Sequence, residues 1–160
     1  MEMKRIIVKS PDLLVDDVFR LKYTGRGDDL SPELILEGVP LQTKSMVIIM
    51  DDIKHHTLGV FNHWTIWNLP RLDVIPMAIP HGSIIKEFSN AQQGIGYGVH
   101  RYAGPCPPKG TQHEYRFTVY ALDTILSLSS DSGKDELLLA MNGHVIAQGL
   151  IEGKFEKDLI

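Results

Sequence analysis

The sequence predicts a mostly β protein with antiparallel strands, on three observations. Short apolar runs recur at RIIVK, VFRLKY, SMVIIM, HWTIWNL and YRFTVYAL, separated by clusters of Gly, Pro and Asp, which is the spacing of an antiparallel β chain. From His113 the side chains alternate, so that His113, Tyr115, Phe117, Val119 and Ala121 share one face while Glu114, Arg116 and Thr118 share the other. Only one segment, SGKDELLLAMNGHVIAQG, argues strongly for a helix.

Taken in order, the chain starts with Met1 and EMKRIIVKSPD, which holds no apolar stretch of signal-peptide length, and no later run has the length needed to span a bilayer. A cytoplasmic protein without membrane insertion is expected. SMVIIM is apolar on both faces and predicts a central strand over about 45–51, ending in Asp51 and Asp52. HWTIWNLP predicts a second strand over about 62–68, opened by His63, and HEYRFTVYAL a third over 113–122, opened by His113. Before that third strand, YAGPCPPKG forms a stiff irregular loop, because proline fixes φ and removes a donor while glycine admits backbone angles closed to other residues. The helix is expected near 134–147, with Ser132 as cap, Leu137, Leu138, Met141 and Val145 at helical spacing, and Gly149 as its stop. His144 then falls inside the helix, and LIEGKFEK returns as a short final strand.

The 160 residues carry 43% hydrophobic and 22% charged content, the proportions of one globular domain, so residues 1–160 are read as a single domain. The formal net charge of -4 has no compensating basic block, which argues against nucleic acid as a partner. Cys106 is the only cysteine; it excludes an internal disulfide and is expected as a small buried loop residue rather than a nucleophile. His55, His56 and Asp51 invite a metal reading, but adjacent histidines point to opposite faces of an extended chain and the usual zinc spacings are absent, so neither metal nor cofactor is expected. GIGYG at 94–98 lacks the G-x-G-x-x-G spacing and leads into the proline loop instead of a helix, which makes it an approach to a pocket.

If the three strands are neighbours, their ends bring Asp52, His63 and His113 together beside the proline loop. Imidazoles with an acid to hold their tautomer or charge, and loop amides as further donors, suit a small oxyanion such as phosphate.

Several motifs, DLSPELILEGVP, MDD with the downstream HWTIWNLP, YAGPCPPKGTQHEYRFTVYALD and AMNGHVIAQG, together resemble the phosphatidylethanolamine-binding protein family, also called Raf kinase inhibitor-like proteins, in its compact bacterial and archaeal branch. The similarity spans roughly residues 20 to 156, with the motifs in the family's order. The resemblance implies a large central antiparallel sheet, a smaller second sheet and few peripheral helices, with an anion pocket at strand ends for phosphate or phosphorylated head groups. Carried over by motif, the binding residues are Asp52, His63, Cys106, Pro107, Pro108, His113 and Tyr115. It also implies a kinase or protease as the class of protein partner, and a homodimer. The family's aspartate–proline–aspartate–alanine–proline appears here as DIKHH, with Lys54 in place of the second acid and His56 in place of the last proline. An inward ammonium at Lys54 would strengthen phosphate binding. Leu36 replaces an aromatic residue as a packing change, and the ending soon after Phe155, as in members without a longer C-terminal helix, implies a more open pocket mouth.

The leading functional reading is therefore a non-catalytic binding module that captures a small phosphorylated or carboxylated anion, acting as a regulatory input to a protein partner. The alternative is an enzyme using Asp52 and His113 as an acid–base pair on a phosphoester or other hydrolysable substrate. A third is a surface-acting kinase or protease inhibitor. No G-x-S-x-G elbow or recognised nucleophile with its base supports the enzyme.

Overall fold

Apolar alternation in short pieces dictates short strands at the start of the chain. A computed structural model describes residues 3–55 and 59–156. Its first elements are β1 (Lys4–Arg5), β2 (Ile7–Lys9), β3 (Leu14–Val15) and β4 (Val18–Phe19), followed by a 3-10 turn at Leu21–Tyr23 and β5 (Leu34–Glu37). The two-sided apolar run and its successor form long strands, β6 (Ser45–His55) and β7 (Gly59–Leu69). Three short strands come next, β8 (Val74–Ile75), β9 (Ile84–Ile85) and β10 (Ala91–Gln93). The alternating run becomes β11 (Gln112–Leu122), and the chain finishes with helix α1 (Lys134–Met141) and β12 (Val145–Glu156).

Among the described residues these strands make two sheets. The larger runs β3-β4-β12-β11-β6-β7-β10-β9, with β1 also on β12, and the smaller runs β2-β5-β8. The long neighbours β12, β11, β6 and β7 are all antiparallel, as the sequence predicts. Two short parallel pairings, β1 with β12 and β4 with β12, make the large sheet mixed at that edge. Among the described residues no helix is long and apolar enough to cross a membrane.

The core explains why SMVIIM carries no polar side chain between Ser45 and Asp51. Met46, Ile48 and Met50 pack with Trp64 and Ile66 toward the small sheet's Leu34, Leu36 and Ile75. Val47 and Ile49 pack on the opposite face with Trp67, Leu122 and, from α1, Leu137 and Met141. Both faces of β6 are thus closed, and the strand exposes polar groups only where it leaves the core. Leu36 is buried in the first cluster, in agreement with a packing role.

The helix is shorter than the sequence suggests. It is flanked by Gly133, whose N–H donates to the Glu136 side chain at 3.2 Å, so Ser132 is not its cap. It ends at Met141 because Asn142–Gly143 turns the chain, with Gly143 at φ 82° in the region that favours glycine. Val145, counted as helical by spacing, instead opens a twelve-residue strand along β11. His144 lies in the turn, its Nδ1 2.8 Å from Asp123 Oδ1. Gly149 does not stop a helix: inside β12, a Cβ there would fall 1.9 Å from the Ile6 carbonyl oxygen, so it marks where the β1–β2 segment crosses closely.

Candidate functional site

The register of three strands decides which polar side chains meet. Asp52 on β6 faces Tyr115 on β11 and Phe61 on β7. His113 and His63 each lie two residues from those partners, so period-two alternation places both on the same face as Asp52. Asp51 takes the other face, where Lys134 Nζ approaches its Oδ2 to 2.8 Å and Asn62 Nδ2 donates to its Oδ1 at 3.0 Å. The two adjacent aspartates therefore part, Asp52 inward and Asp51 toward α1.

Asp52, His63 and His113 are 2%, 5% and 3% exposed, a degree of burial that requires polar partners. His113 Nδ1 lies 2.6 Å from Asp52 Oδ2, and Asp52 Oδ1 accepts the Lys54 backbone N–H at 2.9 Å. His63 Nδ1 lies 2.6 Å from the Ala103 carbonyl oxygen. A carbonyl only accepts, so this nitrogen carries the proton, and Nε2 of the neutral ring is an acceptor. Burial pushes the His63 pKa down, against the opposing pull of the Ala103 bond and of the Asp52 carboxylate. Tyr115 packs edge-on to His63, with centroids 5.5 Å apart, and its hydroxyl is pushed well above its ordinary pKa by burial and by Asp52. Tyr97 covers His63 from the outside at 5.0 Å.

The proline loop closes the site. Gly104 N–H donates to Asp29 Oδ1 at 2.7 Å, while Arg101 Nη1 donates to Asp29 Oδ2 at 3.0 Å and to the Tyr102 carbonyl at 2.9 Å. The Gly25 N–H donates to the Pro105 carbonyl at 2.9 Å. A side chain at Gly104 would lie 2.3 Å from the Tyr23 carbonyl oxygen, so the loop can pack here only as glycine.

The result is one cavity of about 320 Å³, lined by Asp52, His63, Cys106, Pro107, Pro108, His113 and Tyr115 together with Gly25, Asp29, His55, Tyr97, Arg101, Ala103 and Gly104. All seven residues carried over by motif line it. Cys106 is exposed rather than buried, because the turn at 105–107 lays its side chain against Gly25 at the surface. Lys54 is not among the lining residues: its backbone serves Asp52 and its side chain is exposed. His56 lies outside the described residues. Sequence reasoning missed Arg101 and Asp29. Arg101 adjoins YAGPCPP, a faint signal, but Asp29 is 72 residues away from it, and no local pattern announces that pairing.

Fold and site define a two-sheet β protein with a polar cavity at the ends of its long strands. The family profile described as phosphatidylethanolamine-binding protein matches residues 9–156. The chain is 42% identical over 144 residues to a UPF0098 protein of Pyrococcus abyssi, across 89% of this chain and 80% of that one. It is 37% identical over 143 residues to a UPF0098 protein of Methanothermobacter thermautotrophicus, across 85% and 89% respectively. The crystal structure of YbcL from E. coli, described as a member of the mammalian family, matches with a TM-score of 0.80 at 27% identity, covering 94% of this chain and 98% of its own. A phosphatidylethanolamine-binding protein homologue from Chlamydia trachomatis matches with a TM-score of 0.77 at 32% identity, covering 97% and 99%. The chain belongs to the phosphatidylethanolamine-binding protein family.

Proposed function

We propose that this chain is a non-catalytic binding module that captures a small phosphorylated anion, such as phosphate or phosphoethanolamine, and presents that occupied state to a protein partner. The observation that carries this reading is the meeting of Arg101 with two buried imidazoles, each held by Nδ1, in a cavity large enough for a head group. Groups held this way need no reordering when a ligand arrives, which is the condition for a preorganised site. Regulation of a kinase or protease partner rests on the family resemblance alone.

Calorimetric titration of phosphate and phosphoethanolamine tests the reading. Saturable binding is expected, lost or weakened in His113→Ala with the fold intact by circular dichroism. Absence of binding at millimolar ligand would overturn it. The second reading, an acid–base enzyme, rests on the 2.6 Å contact of His113 with Asp52. Turnover of a phosphoester that disappears in Asp52→Asn would favour that reading.

A further inference from the structure

We propose that the cavity selects an oxyanion carrying one proton, a phosphomonoester monoanion, over both the dianion and the diester. This rests on the anion-binding reading and names the ligand class within it. The cavity lining offers charge and donors, from Arg101, and also an acceptor, from His63. Among the described residues Arg101 engages protein through Nη1, which leaves its Nε and Nη2 as donors for an ionised oxygen. His63 commits its Nδ1–H to Ala103, so the ring nitrogen left over presents a lone pair. A fully ionised phosphate meets that lone pair with a lone pair of its own, a repulsive contact, whereas a P–OH donates to it. The neighbouring acceptors are already used: Asp52 accepts from His113 and from Lys54 N–H, and Asp29 from Gly104 N–H and Arg101.

The acceptor role holds only while His63 stays neutral, which depends on every charged group around it. Asp52 and His55 approach from β6, with Asp51 acting from that strand's opposite face, His113 and Tyr115 from β11, and Asp29, Tyr97, Arg101 and Cys106 from the loops. The carboxylates favour the imidazolium; burial opposes it and outweighs them.

Methyl phosphate and dimethyl phosphate separate the possibilities, since both are small and only the monoester has a proton to give. Each is titrated calorimetrically into the wild-type protein at pH 6 and pH 8. A phosphomonoester has its second pKa near 6, so the monoanion falls from about half of the ligand at pH 6 to about one-hundredth at pH 8. Methyl phosphate is therefore expected to bind about 50-fold more weakly at pH 8. Dimethyl phosphate should be at least about tenfold weaker than the monoester at pH 6, the value of one hydrogen bond, and insensitive to pH. Arg101→Gln should weaken both esters, which ties the effect to the cavity. His63→Phe should erase the preference for the monoester; if that variant does not fold, the wild-type comparison decides alone. Equal affinity for the two esters, or monoester affinity that rises with pH, would overturn the proton requirement and leave the anion pocket standing. Binding of neither ester at either pH would remove both.

Discussion

His113 reaches Asp52 diagonally across the β6–β11 ladder: the backbone register pairs Asp52 with Tyr115, yet the imidazole two residues away brings its Nδ1 to 2.6 Å from the carboxylate. Diagonal neighbours on one face of an antiparallel pair lie within reach of a long or aromatic side chain. The contact stands almost out of solvent, with side chains 4% and 2% exposed. Removing one partner of such a pair leaves the other polar and buried. Asp52→Ala is therefore expected to destabilise the protein by about 3–5 kcal/mol. Asp52→Asn, which keeps an acceptor, should cost less. Urea midpoints of the two variants check this, and equal midpoints with wild type would show that the pair contributes nothing.

Acid should destabilise the fold through His63. Its pKa is lowered in the native state by burial, while in the unfolded chain a histidine titrates near ~6.5. Between those two values the unfolded chain binds more protons, so unfolding becomes easier as pH drops below ~6.5 and the effect levels off below the native pKa. In His63→Gln this part of the stability curve should flatten. Denaturation at intervals from pH 7.5 to 5.5 is the measurement, and parallel curves for the two proteins would remove His63 as the source.

Arg101, not Lys54, should supply the cavity's positive charge. Loss of a charge-assisted hydrogen bond is worth about 1.5–3 kcal/mol, so Arg101→Gln is expected to weaken phosphoethanolamine binding by roughly one to two orders of magnitude. Lys54→Gln should change it by less than about twofold, as expected of an exposed charge. The opposite ranking in calorimetry would restore the rim lysine suggested by DIKHH.

Cys106 should be dispensable for binding, and its backbone turn should not be. Cys106→Ser and Cys106→Gly are expected to bind phosphate as wild type does. Gly25→Ala places a Cβ 2.9 Å from Cys106 Cβ, so it should distort the loop and weaken binding. The double variant with Cys106→Gly should recover much of the loss. A double-mutant cycle measures that coupling, and strictly additive effects would show that the two positions do not meet.

Strand-end chemistry was legible because period two tells which side chains share a face. Asp52, His63 and His113 could be grouped by their places at strand ends, on the condition that the three strands are neighbours. The same rule, applied to the alternating run from His113, also gave the buried face of β11. The end of α1 was misread because Leu137, Met141 and Val145 keep helical spacing through Asn142–Gly143, and the turn chemistry of that dipeptide overrides the spacing. Arg101 and Asp29 escaped for another reason. Their pairing depends on a loop folding back over 72 residues, which tertiary packing decides and no local periodicity encodes. The direction of Lys54 stayed open in the sequence for a similar reason, since a charge in a motif does not reveal where its side chain points.

The arrangement of β12 has a consequence for the order in which the molecule can assemble. One edge of β12 runs along β11, while the other receives β1 through Lys4 beside Ala147 and β4 through Val18 beside Lys154. The earliest strands thus acquire these partners only when residues made some 140 positions later are available. On the ribosome β1 must wait, and closing so long a stretch of chain carries an entropic cost that local turns do not. The central hairpin of β6 and β7 needs no such wait. Folding should therefore begin in the middle of the sequence, and β1 and the outer edge of β4 should stay accessible to proteases and chaperones until β12 has been made.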